Sequence, residues 1–142
     1  MIVNRVDREA QPARTAEPFG LLRLALRLDA AVSGLAGVLG FMGGSALGDL
    51  LGLTPGQLAG VSAFFVLYAL VVGGVSLPER ISRLAASAII VANVGWSATT
   101  VLTVVAGWLP LTLLGEVLTV FLALVVAGLA AVQLLGVRRS WR

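Results

Sequence analysis

Every basic side chain in this chain is an arginine, and the arginines fall in three groups separated by long uncharged runs. Arg5, Arg8, Arg14, Arg23 and Arg27 precede the first run, 30–48. Arg80 and Arg83 lie between the second run, 50–77, and the third, 84–115. Arg138, Arg139 and Arg142 follow the fourth, 117–137. The two remaining connections hold no basic residue. Cytoplasmic loops of membrane proteins keep Lys and Arg, because translocating them is costly. The pattern predicts four transmembrane helices with both termini in the cytoplasm.

Composition agrees. Hydrophobic residues make up 58% of the 142 residues and charged ones 12%, against about 25% charged in a soluble domain. About 20 apolar residues cross the ~30 Å hydrocarbon layer, and each run is long enough or nearly so. The expected spans are about 29–47, 55–75, 84–107 and 111–135 at 1.5 Å rise per residue. Residues 1–18 read as a polar cytoplasmic tail and 19–142 as one transmembrane domain. The expected fold is all-α, an antiparallel four-helix bundle. Its amphipathic lead-in, 19–28, lies at the interface and feeds the first span. The arginine-only, Ala/Gly/Val/Leu-rich composition points to a bacterial inner membrane.

Several chemistries drop out. Cys, His and Lys are all absent, which removes disulfides, imidazole metal sites and lysine-based covalent catalysis. Serines and threonines are present without a His or Lys to activate them. No phosphate-binding loop or dinucleotide fingerprint occurs. The chain reads as no enzyme, with no cofactor and no metal. Its net charge is only +3, and its arginines sit beside the spans. Arg23, Arg27, Arg80, Arg83, Arg138 and Arg139 therefore read as topology determinants and partners of anionic lipid headgroups rather than of nucleic acid.

The first span is rich in glycine. Ala36, Gly40, Gly44 and Gly48 recur every four residues, a small-residue stripe that lets another helix approach closely. That helix belongs either to a partner chain or to the same bundle. Thr54-Pro55-Gly56-Gln57 has the form of a capped helix start. Ser76 with Glu79 repeats the pattern, and Gly136 reads as a C-terminal cap.

Few polar residues interrupt the spans. Asn93 falls near the middle of the third, at a depth within about one turn of Tyr68 by residue rise. A hydrogen bond between them is expected, serving either as a polar pocket or as a tie between helices. Glu116 lies early in the fourth span on the external side, where it complements the helix dipole or serves as a proton-linked carboxylate. Asp29 marks the start of the first span and is expected to pair with Arg80, Arg83 or a nearer arginine.

Leu26-Arg27-Leu28-Asp29-Ala30 ahead of a Gly-rich span, Gly48-Asp49-Leu50-Leu51-Gly52-Leu53, and Ala92-Asn93-Val94-Gly95-Trp96 together resemble small four-helix integral membrane proteins of actinobacterial type. That resemblance, over about 22–139, implies the fold and the membrane but brings no activity with it. In size and span count the chain is also similar to small multidrug-resistance transporters. It departs from them at their membrane-embedded Glu in the first span, which is absent.

Three readings follow. The first is a non-enzymatic protein that acts by helix association, as a homo-oligomer or as an accessory subunit of a larger membrane complex. The second is a small oligomeric transporter or channel with a polar midplane site around Asn93, Tyr68 and Glu116. The third is a protein that binds anionic lipids through its arginines.

Overall fold

The computed structural model describes residues 18–142, so the tail expected over 1–18 lies outside the described residues apart from Pro18. Four helices follow one another: α1 (Gly20–Leu51), α2 (Pro55–Val75), α3 (Arg83–Val105) and α4 (Leu113–Ser140). All four are long and apolar enough to cross a membrane. There is no strand among the described residues. A helix satisfies its own backbone groups, which is what hydrocarbon demands of a spanning segment.

One local expectation holds in detail. Thr54 and Gln57 form a reciprocal capping box at the start of α2, with Pro55 in the first turn. Thr112 accepts from the Gly115 N–H and starts α4. Two other expectations do not hold. Ser76 closes α2 rather than opening α3, whose N-cap is Ser82. Gly136 lies inside α4, which runs on to Ser140. The reason is packing. A Cβ at Gly136 would stand 2.8 Å from Leu22 Cα, so the glycine lets α4 continue while touching α1.

The first helix differs most from expectation in its length and course. Residues 19–28 feed into the first span as expected, without interruption: Phe19 is the N-cap of α1 and 20–28 are its first turns. At 32 residues, α1 is about 48 Å long at 1.5 Å per residue. That exceeds a ~30 Å hydrocarbon layer, so α1 projects beyond the layer or tilts within it. Its course breaks at Gly44, whose φ of 49° and ψ of −139° suit glycine alone.

Helix α1 packs along both α2 and α4, and α3 packs on α4. Helices α2 and α3 approach each other at only a few backbone positions. Side chains bridge this seam instead, among them Phe65 and Trp96, edge to face with ring centroids 5.2 Å apart. Small residues set the α1–α2 contact. A Cβ on Gly37 would sit 2.7 Å from the Ser62 carbonyl oxygen, and one on Gly40 would collide with the Ser62 hydroxyl.

Contacts also group the start of α1 with the end of α4. Phe19 packs against Trp141, Ser140 Oγ donates to the Pro18 carbonyl, and Arg83 lies over the Trp141 ring. Arg23 donates to the carbonyls of Ser76, Leu77, Pro78 and Glu79. The start of α1, the end of α4 and the α2–α3 connection thus meet, and the arginines of the described chain gather around them. Elsewhere, Thr112 Oγ1 donates to the Leu50 carbonyl at 2.6 Å and Thr112 N–H to that of Leu51 at 3.1 Å, tying the two arginine-free connections together. The main apolar core, built on Leu22, Leu26, Val72, Ile81, Ala86, Ile89 and Val137, lies on the arginine side. Outward faces carry Leu35, Met42, Leu67, Leu70, Leu84, Val91 and Leu124, all well exposed. Such a surface suits lipid rather than water.

Candidate functional site

Among the described residues, seven polar side chains are buried, and Asp29 is the only ionisable one of them. Asp29 and Gln133 are fully buried at 0% exposure, and Asn93 is 2% exposed. Asp29 comes from α1, Asn93 from α3 and Gln133 from α4. Asp29 lies nine residues into α1 and Asn93 ten into α3, roughly 14–15 Å along their axes at the α-helical rise. Gln133 and Tyr68 each lie seven residues from the ends of their helices on the same side, roughly 10 Å deep. The cluster therefore sits in the arginine-side half of the bundle, approaching its middle.

Its bonds converge on one atom. Asn93 Nδ2 donates to Asp29 Oδ2 at 2.6 Å, and Gln133 Nε2 donates to the same oxygen at 2.7 Å. Asn93 Nδ2 also donates to Gln133 Oε1 at 3.2 Å. Tyr68 Oη donates to Asn93 Oδ1 at 2.7 Å. Ser33, one turn along α1, donates to Asp29 Oδ1 across 3.4 Å. A carboxylate only accepts hydrogen bonds, so both amides present their NH2 groups to it and their oxygens elsewhere. All four helices contribute to this set.

The structure brings Asn93 and Tyr68 together as expected. It also corrects the reading of Asp29. An ion pair with Arg80, Arg83 or a nearer arginine was expected, yet the partners of Asp29 are neutral side chains. The geometry explains this. Because α1 begins at Gly20, Asp29 is carried into the bundle, while Arg80 and Arg83 remain exposed at its end. Gln133 and Ser33 went unrecognised. Gln133 is the sole amide within the uncharged run 117–137, and Ser33 follows Asp29 by one helical turn. Both signals were in the sequence.

The other expected site residues disperse. Glu116 lies in the first turn of α4, half-buried beside an open groove with Val104, Val117, Val120, Phe121 and Leu124, apart from the cluster. Gly40 and Gly48 are buried inside the protein, against α2 and the Leu53 carbonyl respectively, and Ala36 is half-buried. Gly44 alone of the four is exposed, with open space where a Cβ would stand. Arg27, Arg80, Arg83, Arg138 and Arg139 are exposed, whereas the half-buried Arg23 is engaged by carbonyls.

Beside the cluster lies a cavity of about 20 Å3, lined by Ser33, Tyr68 and Asn93 together with Phe64, Phe65 and Trp96 along the α2–α3 seam. It has room for one water, which needs roughly 10–15 Å3 on this measure. One turn further along α3, Ser97 Oγ is buried without a partner. Among the described residues no three His, Cys, Asp or Glu side chains gather as a metal site.

Comparison with known proteins adds no relative: no family model matches the chain, nor does any curated protein or solved structure. Fold and site define an all-α protein with four helices able to span a membrane, enclosing one buried carboxylate among neutral donors.

Proposed function

We propose that this is a small, non-enzymatic transport or conductance protein of the bacterial inner membrane, whose working centre is the Asp29–Asn93–Gln133–Tyr68 cluster. In this reading the four spans run antiparallel with both termini in the cytoplasm, as the arginine distribution favours. The observation that carries it is a fully buried carboxylate held by neutral groups alone. Ionisable residues inside a membrane are costly and mark ion or solute pathways by default. The cavity at the cluster and the unpartnered Ser97 hydroxyl add room and polarity along the same face of α3.

The test is to reconstitute the full chain in liposomes and record currents on a solid-supported membrane while switching sodium, potassium, ammonium or guanidinium salts. Transport predicts a current for at least one solute that Asp29→Asn abolishes and Glu116→Gln preserves. Silence towards the whole panel, or equal currents from both variants, would overturn the reading.

A second reading, association with another copy or a larger membrane complex, rests on the exposed surface at Gly44, Ser45 and Ala46 beside the break in α1. Two of the four members of the small-residue stripe that motivated it, Gly40 and Gly48, are covered by the protein's own α2 and the turn before it. Its test is cross-linking through Ser45→Cys in native membranes, where a discrete adduct is expected. The exposed arginines on the charged side suit anionic headgroups in either reading.

A further inference from the structure

We infer that the ligand of the buried cluster is a proton, taken up at Asp29 Oδ1 from the seam cavity through the Ser33 hydroxyl. This rests on reading the cluster as a working site, and it names what that site binds. The two oxygens of Asp29 differ. Oδ2 receives two short amide bonds, from Asn93 and Gln133. Oδ1 has only the Ser33 hydroxyl, at 3.4 Å. The one carboxylate lone pair without a partner is therefore on Oδ1.

A metal cation does not suit this arrangement. It requires several oxygens directed inward, whereas here two NH2 groups point at the carboxylate. The oxygens of the amides are themselves engaged, Asn93 Oδ1 by Tyr68 and Gln133 Oε1 by Asn93. The cavity, about 20 Å3, holds no more than one water at roughly 10–15 Å3 each. A proton needs only one lone pair and one donor.

Ser33 supplies the route. Its side chain lines the cavity and also reaches Asp29. A protonated water in the cavity gives a proton to Ser33 Oγ, while the hydroxyl's own proton passes to Asp29 Oδ1. The water is left neutral, Ser33 is left neutral, and the carboxylate becomes a carboxylic acid. Ser33 Oγ can then accept from the new Oδ1–H, since a hydroxyl is both donor and acceptor. The amide bonds to Oδ2 survive the change, so the helices stay tied in both states. Around Asp29, α3 and α4 contribute only the amides of Asn93 and Gln133, and α2 contributes Tyr68, which reaches it through Asn93. On α1, Arg27 is exposed and Arg23 is held by carbonyls of the α2–α3 connection.

The test is infrared difference spectroscopy of the full chain in lipid, stepped between alkaline and acidic buffer, using carbon-13-labelled aspartate in the Asp7→Asn, Asp49→Asn double variant. Asp29 is then the sole labelled side-chain carboxyl, so no variant of Asp29 itself is required. The expected result is a labelled carboxylic-acid band that grows reversibly as the carboxylate band falls. Ser33→Ala should keep that band but slow its deuterium shift several-fold after transfer to heavy water. A labelled carboxyl that never changes form overturns the proposal, as does an unaltered deuterium-shift rate in Ser33→Ala. A titrating band without solute currents would keep the proton site and remove the transport reading. Currents without a titrating band would do the reverse.

Discussion

Asn93 Nδ2 lies 2.6 Å from Asp29 Oδ2, joining residues 64 apart in sequence and two helices, α1 and α3, that both begin on the arginine side of the bundle. The same nitrogen reaches Gln133, and the Asn93 oxygen receives Tyr68. Asn93 is thus the hub through which α2 touches the carboxylate. This gives a rank order for variants. Tyr68→Phe removes one interhelical hydrogen bond and should cost about 0.6 kcal/mol, the usual size inside a bundle. Asn93→Leu leaves the Tyr68 hydroxyl and Gln133 oxygen unpaired and strips one donor from Asp29. It should cost more, about 1–3 kcal/mol for buried groups left unsatisfied. Thermal unfolding in mild detergent checks the order, and a larger loss in Tyr68→Phe than in Asn93→Leu would contradict it.

Asp29→Leu orphans donors from Asn93 and Gln133 together. The triple replacement of Asp29, Asn93 and Gln133 by Leu removes donors and acceptor alike. Apolar replacement of a whole buried polar set is often neutral or stabilising. The triple variant should therefore be more stable than Asp29→Leu alone, while currents vanish in both. Equal destabilisation, read from melting curves, would mean that the cluster's shape rather than its polarity holds the helices.

Much of the fold was legible from charge and hydropathy, because a membrane span must be both long and uncharged. The second helix was read to both of its observed ends, Pro55 and Val75, helped by a capping pattern at Thr54 and Gln57. The site was legible only in part. Asn93 and Tyr68 stood out because each is polar within an apolar run, and their depths matched. Asp29 was misplaced because it borders such a run instead of interrupting it. Depth depends on where a helix begins, and α1 begins nine residues before Asp29, in a segment whose arginines resemble an interface. The glycine stripe was visible, but periodicity alone does not say which helix covers it. The covered glycines are Gly37, Gly40 and Gly48, spaced three and then eight residues apart.

Arg23 and Arg27 look alike in sequence and differ in the structure. Arg23 gives its guanidinium to carbonyls of the α2–α3 connection, those of Ser76, Pro78 and Glu79. Arg27 is exposed. Arg23→Ala should destabilise the protein by about 1.5–3 kcal/mol, the range for hydrogen bonds involving a charged group. Arg27→Ala should leave stability unchanged and weaken only retention on vesicles containing anionic lipid. Melting temperature and vesicle flotation separate the two effects.

The glycines of α1 should fail for different reasons when enlarged. Gly40→Ala places a methyl into the Ser62 hydroxyl, and Gly37→Ala sets one 2.7 Å from the Ser62 carbonyl oxygen. Either forces α1 from α2 and should cost about 1–3 kcal/mol by overpacking. Gly44→Ala meets nothing within 4 Å, yet its φ of 49° is unfavourable for any residue with a Cβ. Straightening of α1 is its expected consequence, detectable as a changed distance between spin labels at the two ends of that helix. Gly60→Ala and Gly128→Ala, with open space at the added methyl and no positive φ, should be neutral or slightly stabilising, since alanine is the better helix former. If Gly60→Ala and Gly40→Ala melt together, the α1–α2 contact is looser than these distances describe.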